Sequence, residues 1–289
     1  MAFRVEVAVR GADRLGECPL WEEREGALWW IDCREPAVKR FDPASGAVMM
    51  LTLPEIVGSI ALRENGGLLA ATKSGLHLLD PSSGALEPKV DPENDQPDNR
   101  FNDGRCDRGG RFWAGSMSDV NRDPTGSLYR FEADFSHARL KNSIIIPNSL
   151  AFSPDGRTMY FADTNRHTIW AYDYDPASGA ATRERVFVDA GGGRPDGSCV
   201  DAEGCLWNAE YGAARVVRYT PAGKADRVVE LPVANVTCCC FGGSDLGTLY
   251  VTSATQRMTP EDLAQQPLAG SVFALRPGVK GLAESRFAG

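Results

Sequence analysis

The amino-acid sequence predicts an all-β protein, a six-bladed β-propeller, and two observations carry this prediction. Six segments read alike, each with a glycine turn followed by a short apolar run, and their glycines are Gly26, Gly67, Gly110, Gly156, Gly204 and Gly247. Successive glycines of this set are 41, 43, 46, 48 and 43 residues apart. A period in the forties built from short strands is typical of propeller blades. Because the repeats account for nearly all of the 289 residues, we expect residues 1–289 to form one domain.

The first repeat shows how a blade is read from its residues. Cys18–Trp21 is the expected inner strand, Ala27–Asp32 the second and Val38–Phe41 the third. Asp42–Gly46 then predicts a tight reversal, because its proline presets one turn dihedral and its glycine accepts a positive one. Similar turns are expected at Asp80–Gly84, Asp175–Gly179 and Thr220–Gly223. Alternating, half-buried third strands are expected at Leu76–Leu78, Leu128–Phe131, Ile169–Tyr172, Val216–Tyr219 and Val272–Leu275.

Three segments depart from the repeat. Phe3–Val9 reads as a strand with no blade of its own, and pairing it into the sixth blade would close the ring and cover its edge strands. Residues 117–126 and 253–270 form longer hairpins than their counterparts. The second contains Thr259–Asp262, a helix start with a capping threonine and a proline in the first turn. Both hairpins are interpreted either as loops over one mouth of the ring or as surface decoration.

Charge and hydropathy limit the classes of partner. The chain carries 31 Lys and Arg against 39 Asp and Glu, and its net charge of −8 opposes attraction to phosphate backbones and anionic membranes. No apolar run approaches the roughly 20 residues of a membrane-spanning helix, and Met1–Arg10 lacks the apolar core of a signal peptide. We therefore expect no nucleic-acid partner, no membrane partner and a cytoplasmic location.

The cysteines read as buried thiols. The eight cysteines lie on apolar strand positions or in the run Cys238–Cys240. Because neighbours in a strand point to opposite faces, this run cannot act as a chelating group. Free thiols in a reducing compartment are the expected state.

One position near the start of the inner strands is repeatedly polar. Counting eight residues back from the blade glycine gives Ser59, Asn102, Asn148, Asp196 and Cys239. The first blade has a turn one residue longer, so the equivalent residue, nine back, is Glu17. The symmetry of a propeller predicts that these six residues surround the central axis at one height.

The polar members of this set predict a divalent-metal site. Two acids in a confined channel repel each other unless a proton or a cation neutralises the pair. Glu17 and Asp196 with the amide oxygen of Asn148 form an all-oxygen set suited to calcium, magnesium or manganese and acceptable to zinc. Three protein ligands leave positions for water and substrate. The alternative interpretation is that these side chains cap turns.

Two further residues are candidates for binding a polar ligand. Asn102 belongs to the same set of positions, and Arg100 precedes it by two residues. Arg100 is interpreted either as a donor to ligand oxygens or as an exposed loop residue. No Gly-x-Ser-x-Gly, His-Glu-x-x-His or phosphate-binding glycine loop is present, and His77, His137 and His167 fall outside the inner-strand starts. A serine hydrolase mechanism is therefore disfavoured.

Several motifs in order along the chain resemble those of the regucalcin and gluconolactonase family. They are Leu15–Trp21, Asn99–Gly104, Pro147–Gly156, Pro195–Gly204, Cys239–Gly243 and the tail from Gly278 to Gly289. The resemblance covers the whole chain. It implies a six-bladed propeller that binds one divalent metal ion and hydrolyses sugar lactones to aldonic acids.

The resemblance also implies roles for single residues. Glu17, Asn148 and Asp196 match the family's metal ligands, and Arg100 and Asn102 match its substrate-binding Arg-Phe-Asn motif. Family members of the regucalcin type carry a glutamate shortly after the Gly-x-Met of the third blade, whereas this chain offers only Asp119, one place earlier.

The expected activity is therefore a metal-dependent lactonase of the carboxylic ester hydrolase class. Glucono-, galactono-, xylono- or arabinono-lactone would be its substrates, one ion of calcium, zinc, manganese, magnesium or iron its cofactor, and Asp196 its catalytic proton acceptor. The alternatives are a calcium-dependent organophosphate or phosphotriester hydrolase and a non-enzymatic metal-binding regulatory propeller. We expect a monomer whose partner is a small sugar lactone.

Overall fold

Six four-stranded antiparallel sheets make up the structure, a computed structural model that describes residues 3–191 and 193–289. Blade one contains β2 (Gly16–Glu22), β3 (Ala27–Asp32), β4 (Ala37–Phe41) and β5 (Val48–Thr52). Blade two contains β6 (Val57–Leu62), β7 (Leu68–Thr72), β8 (Gly75–Leu79) and β9 (Leu86–Val90). Blade three contains β10 (Asn99–Cys106), β11 (Phe112–Ser118), β12 (Gly126–Phe131) and β13 (His137–Ile144).

The second half of the chain repeats this pattern. Blade four contains β14 (Pro147–Phe152), β15 (Thr158–Asp163), β16 (Thr168–Asp175) and β17 (Ala180–Asp189). Blade five contains β18 (Pro195–Val200), β19 (Leu206–Glu210), β20 (Arg215–Tyr219) and β21 (Ala225–Glu230). Blade six contains β22 (Val236–Gly242), β23 (Thr248–Ser253), β24 (Val272–Leu275) and β1 (Glu6–Val9). A single turn of 3-10 helix lies at Thr164–Arg166, and helix α1 spans Pro260–Gln265.

The inner strands β2, β6, β10, β14, β18 and β22 form a closed ring. Each inner strand contacts the inner strand of the next blade, and β22 of the last blade contacts β2 of the first. This closure confirms the predicted six-bladed propeller and brings the first strand of every blade to one axis. Among the described residues, no helix is long and apolar enough to cross a membrane.

The ring closes through a strand from the other end of the chain, as predicted. Strand β1 pairs antiparallel with β24, with Glu6 opposite Ala274 and Val7 opposite Phe273. The strand is shorter than the predicted Phe3–Val9, but the partly buried Phe3 and Val5 pack against the apolar core of blades five and six. Blade six therefore obtains its outermost strand from residues that precede blade one.

Local signals in the loops form the predicted structures. The turn at Asp42–Gly46 joins the third and fourth strands of its blade, with Gly46 at a φ of 76° and the Asp42 carboxylate accepting a hydrogen bond from the Ala44 amide. Helix α1 begins with a capping box in which the Thr259 hydroxyl accepts from the Asp262 amide.

The cysteines lie among the buried residues of the blades. All eight cysteines are free and buried, which confirms the expected thiols. The Sγ atoms of Cys199 and Cys239 lie 3.6 Å apart, in contact but not bonded. In the core between blades five and six, these thiols pack with Trp207, Phe241 and Phe273.

Every inner strand has an interruption in its pairing with the second strand. The shift lies between Glu17 and Leu20 in blade one and between Asn148 and Ala151 in blade four. The equivalent shifts are Val57/Ser59, Phe101/Gly104, Pro195/Ser198 and Val236/Cys239. Bulges of this kind redirect side chains and are frequent beside active sites. The irregular backbone therefore coincides with the positions that the sequence places at the axis.

Removing β1 tests the closure of the ring. Deleting residues 1–9 exposes the backbone edge of β24, and we expect the unfolding temperature to fall by about 5–10 °C, corresponding to roughly 2–3 kcal/mol. Thermal unfolding followed by circular dichroism and light scattering measures the change. Deleting residues 1 and 2, which keeps β1 and the packed side chains of Phe3 and Val5, is the matched control. Equal unfolding temperatures of the two truncated proteins would contradict the role of β1 in closing the ring.

Candidate functional site

One pocket collects all the predicted site residues. Glu17, Arg100, Asn102, Asn148 and Asp196 line it, and its empty space, part of it open to solvent, is about 440 Å³. Four of the six positions counted from the sequence therefore meet here. The other two, Ser59 and Cys239, are fully buried and are not among the lining residues.

Two carboxylates of this pocket are affected by burial and by neighbouring negative charge. Burial raises the pKa of Glu17, and the charges of Asp196 and Asp103 raise it further. Burial and the charge of Asp103 likewise raise the pKa of Asp196. Within residues 3–191 and 193–289, none of these three acids has a lysine or arginine at ion-pair distance. Like charges held together in this way favour a proton or a cation between them.

The donor atoms fit a hard divalent cation. Carboxylate and amide oxygens are the ligands that calcium, magnesium and manganese prefer, and Glu17, Asn148 and Asp196 offer only these. Asp103, which the sequence reading did not single out, adds negative charge, but its Oδ2 accepts the Leu150 amide at 2.8 Å. The three-ligand set therefore agrees with the charges of the pocket and stays a prediction.

A directed chain of hydrogen bonds orients Asn148. Arg100 Nη1 donates to Asn102 Oδ1 at 2.8 Å, and Asn102 Nδ2 donates to Asn148 Oδ1 at 3.1 Å. Asn148 Nδ2 then donates to Thr164 Oγ1 at 2.8 Å, and this hydroxyl donates to the Pro195 carbonyl at 2.7 Å. Because the arginine can only donate, the chain fixes which end of each amide is oxygen. The Asn148 oxygen keeps a lone pair for a cation.

The backbone at the predicted ligands is unusual. Cys18 follows Glu17 and Ser149 follows Asn148, and both have left-handed φ values, of 49° and 59°. Residues with side chains rarely adopt this conformation, and it concentrates at functional sites. The strain supports the interpretation that the bulges exist to place Glu17 and Asn148.

Asp196 lies where two blades approach closely. A Cβ added to the next residue, Gly197, would lie 2.2 Å from Cys238 Sγ, so only glycine fits between β18 and β22. The Asp196 carbonyl accepts hydrogen bonds from Ser149 Oγ at 2.6 Å and from Asn208 Nδ2 at 3.1 Å. The Pro-Asp-Gly sequence is thus explained by packing as well as by chemistry.

Asp119 holds an arginine instead of facing the pocket. Its carboxylate accepts two hydrogen bonds from Arg34, at 2.7 and 2.9 Å, and one from Arg100 Nε at 2.8 Å. Burial alone would raise the pKa of Asp119, but the Arg34 hydrogen bonds and the Arg100 charge hold it well below its usual range. Arg100 is itself buried and is therefore anchored, not an exposed loop residue.

The structure adds pocket residues that the sequence reading missed. Thr164 follows the second strand of blade four and reaches the pocket through the hydrogen-bond chain above. Arg122 and Arg257 come from the two long hairpins, residues 117–126 and 253–270, so both loops contribute side chains to the pocket lining. Arg194 and Tyr211 complete that side of the pocket. The unusual length of the two hairpins was the only signal for any of these residues.

Elsewhere, the described residues offer a weaker alternative. Asp201, Glu203 and Cys205 lie close enough to share an ion. Arg218 fills this space, since its Nε donates to Asp201 Oδ2 at 2.7 Å and its Nη2 to Glu203 Oε2 at 2.5 Å. A guanidinium already neutralises this cluster, which distinguishes it from the acids at the axis.

Thr164 is expected to contribute measurably to stability. Thr164→Val leaves the Asn148 amide and the Pro195 carbonyl without their buried partner, at a cost of about 1–3 kcal/mol in unfolding free energy. Urea denaturation measures the loss. Thr164→Ser keeps the hydroxyl and is the control that we expect to stay within about 1 kcal/mol of wild type. Equal destabilisation by serine and valine would show that packing, not the hydrogen bonds, matters.

Asp119 is expected to give a defined pH dependence. Its pKa is lower in the folded than in the unfolded chain, so its stabilising contribution is complete above the unfolded pKa of about 3.9 and is lost as pH falls towards the folded value. The difference in unfolding free energy between wild type and Asp119→Asn should be about 1–3 kcal/mol and constant from pH 8 to 5, then shrink below pH 4. Urea denaturation across this range measures it. A difference in unfolding free energy that grew as the pH fell would contradict a lowered pKa of Asp119 in the folded chain.

The chain as a whole is similar to several known proteins. A sequence model described as SMP-30/Gluconolactonase/LRE-like region matches residues 15–255. A 6-deoxy-6-sulfogluconolactonase from Pseudomonas putida is 40% identical over 287 residues, which are 99% of each protein. Regucalcin from Xenopus laevis is 36% identical over 297 residues, covering 100% of this chain and 99% of the relative.

A solved structure shows the same likeness. The crystal structure of a calcium-binding protein, regucalcin, from Agrobacterium tumefaciens has a TM-score of 0.95 and 34% identity, covering 99% of this chain and 98% of that one. Both the family match and the structural likeness extend over the inner strands that carry the pocket. The chain therefore belongs to the SMP-30/gluconolactonase/LRE-like family.

Proposed function

We propose that this protein is a metal-dependent hydrolase that opens sugar lactones to aldonic acids. The observation that carries the proposal is the convergence of Glu17, Asn148 and Asp196 on one open pocket, with no ion-pair partner for either acid among the described residues. Relatives named gluconolactonases support the reaction class. Glucono-, galactono-, xylono- and arabinono-lactone are the substrates to assay first.

The cofactor in this proposal is one divalent ion held by Glu17, Asn148 and Asp196. When bound, such an ion supplies Lewis acidity to the lactone carbonyl and favours ionisation of a nearby water. The all-oxygen donor set suits calcium, magnesium or manganese, and zinc and iron are also to be tested. The name of the calcium-binding relative supports a divalent ion without choosing among these.

Asp196 has the proposed role of proton acceptor. Among the described residues no other side chain donates a hydrogen bond to its carboxylate, so an oxygen is available to a water in the pocket. The water oxygen bonds to the lactone carbonyl carbon as its proton passes to Asp196. The ring carbon–oxygen bond then breaks, and the ring oxygen takes the proton back from Asp196, which leaves the open-chain acid.

Arg100 and Asn102 have the proposed role of orienting the sugar. Arg100 is held by Asp119 and by the Phe101 carbonyl, and among the described residues its Nη2 atom has no hydrogen-bond partner, which leaves it for a substrate hydroxyl. The amide nitrogen of Asn102 already has two hydrogen-bond partners, since Nδ2 donates to both the Pro147 carbonyl and Asn148. We therefore assign Asn102 a double role, in which it accepts from the sugar through Oδ1 and positions Asn148.

The proposal predicts that turnover depends on both the ion and Asp196. Treatment with a chelator should abolish hydrolysis of glucono-δ-lactone, and adding divalent metal back should restore it. Asp196→Asn should lower kcat by about 10²- to 10⁴-fold because it removes the proton acceptor and replaces one carboxylate ligand of the ion by a neutral amide. A pH-indicator assay measures turnover, and circular dichroism checks the fold. Asp173→Asn, at an exposed ion pair remote from the pocket, is the matched control.

The same assays separate the alternatives. Retained turnover in Asp196→Asn would defeat the assignment of Asp196 as base. Hydrolysis of a fluorophosphate but of no lactone would favour an organophosphate hydrolase. A protein that binds one divalent ion but turns over neither class would instead be a metal-binding propeller without enzymatic activity.

A further inference from the structure

Three arginines reach the mouth of the pocket from three different blades. Arg122 lies in the hairpin between β11 and β12, Arg194 directly precedes β18, and Arg257 follows β23. In the parts of the chain that the structure describes, none of the three forms an ion pair. Arg34 and Arg100 differ from them, because both are paired with Asp119. The pocket thus has three guanidinium groups without an acidic partner.

These groups form a local positive charge. Arg122 is half-buried, and burial together with the charges of Arg257, Arg100 and Arg34 lowers its pKa to about 10. The charge of Asp119 opposes this shift, but that carboxylate is already shared by Arg34 and Arg100. The charges of Arg194 and Arg122 also lower the pKa of the Asp196 carboxyl, although neither arginine is at ion-pair distance from it. Cations held near each other in partial burial favour an anion between them. The overall charge of −8 makes this concentration of positive charge a local feature.

The arginines are held in position by their surroundings. The guanidinium of Arg194 stacks on the ring of Tyr211 at 5.2 Å, and the Tyr211 hydroxyl donates to the Gln256 carbonyl at 3.0 Å. This contact fixes the residue before Arg257. Arg122 and Arg257 both have left-handed backbones, with φ values of 61° and 65°. Such positions cost energy and persist where the surrounding structure requires them.

As a group, the arginines lie nearer the solvent than the predicted ion site. Asn148 and Asp196 are buried and Glu17 is half-buried, whereas Arg122 and Arg194 are half-buried and Arg257 is exposed. A ligand that placed its reacting group among the oxygen donors would therefore extend its far end towards the arginines. This arrangement fits a lactone ring at the base of the pocket and a charged substituent at the mouth.

We propose that the substrate lactone carries a tetrahedral oxyanion, a sulfonate or a phosphate monoester, on its exocyclic carbon, and that Arg122, Arg194 and Arg257 bind this group. The inference rests on the proposed lactonase function and narrows its substrate class. A carboxylate offers two oxygens, which one guanidinium can satisfy in bidentate fashion. Three guanidinium groups from three blades match the three terminal oxygens of a sulfonate or phosphate better.

Binding of stable product acids tests the anion site without relying on turnover. The probes are gluconate, 6-phosphogluconate, 6-deoxy-6-sulfogluconate and glucarate, measured by calorimetry on the metal-loaded protein. We expect the phosphate or sulfonate acid to bind at least tenfold more tightly than gluconate, and added salt to reduce the difference. Whichever of the two binds better identifies the substituent. Equal affinity for gluconate, or a preference for glucarate, would overturn the proposal.

Substitutions test the assignment to these arginines. The double variant Arg122→Ala/Arg257→Ala should reduce the preference for the phosphate or sulfonate acid at least tenfold, and Arg257→Lys should reduce it less because it keeps the charge. Arg10→Ala, at an exposed arginine outside the pocket, is the control that should keep the preference. Arg194 is left intact because it is two residues from Asp196. An unchanged preference in the folded double variant contradicts the proposal.

Kinetics separate this proposal from the one on which it rests. The ratio of kcat/KM for 6-phosphoglucono-δ-lactone to that for glucono-δ-lactone should exceed ten in wild type and fall in the double variant. Hydrolysis of both lactones with a ratio near one supports the lactonase function and overturns the anion site. Tight binding of the anionic acids without hydrolysis of any lactone supports the anion site and overturns the lactonase function.

Discussion

The repulsion between buried acids at the axis is the constraint on which the rest of the pocket depends. The charges of Asp103 and Asp196 raise the pKa of Glu17, and the charge of Asp103 raises that of Asp196. None of the three acids has an ion-pair partner in the described chain. Such a group raises the free energy of the fold unless protons or a cation reduce its charge. The scaffold must therefore hold the acids against their repulsion. The ring of inner strands does so because strands far apart in sequence pack around one axis.

The neutral amides of the pocket must also be oriented to suit a cation, and the hydrogen-bond chain through the pocket sets their orientation. An amide can present either its oxygen or its nitrogen to the axis, and only the oxygen complements a cation. Arg100 begins the chain as an obligatory donor, and Thr164 ends it by donating a hydrogen bond from its hydroxyl to the Pro195 carbonyl. Asp119 sets the position of Arg100 and links it to Arg34 of blade one. The polarity of Asn148 thus depends on an ion pair outside the pocket.

The sequence predicted the pocket residues that recur with the blade repeat. It did not predict those that come from irregular loops, and the reason is physical. Glycine turns recur with the blade, so a count from them found Glu17, Asn102, Asn148 and Asp196. The same count included Ser59 and Cys239, which are buried, because bulges interrupt the pairing of the inner strands and the exact side-chain direction does not follow from spacing. The family resemblance gave the roles of the counted residues and had no equivalent for the loops.

Residues from irregular segments had no periodic signal. Thr164 comes from a single 3-10 turn, and Arg122 and Arg257 come from hairpins whose backbones pass through left-handed conformations. The path of such a loop depends on tertiary contacts, such as the bond from Tyr211 to the Gln256 carbonyl, that no single segment encodes. The two long hairpins were recognisable only as candidates to overhang the mouth.

Opposite charges at two depths of one pocket have a thermodynamic consequence. Acids lie at the base around Asp196, and arginines lie at the mouth around Arg122 and Arg257. A cation bound among the acids makes the potential at the arginines more positive, so it strengthens the binding of an anion there. Linkage then requires the anion to strengthen the binding of the cation by the same factor. A substrate with a charged tail would in this way help to assemble the site that transforms its lactone ring.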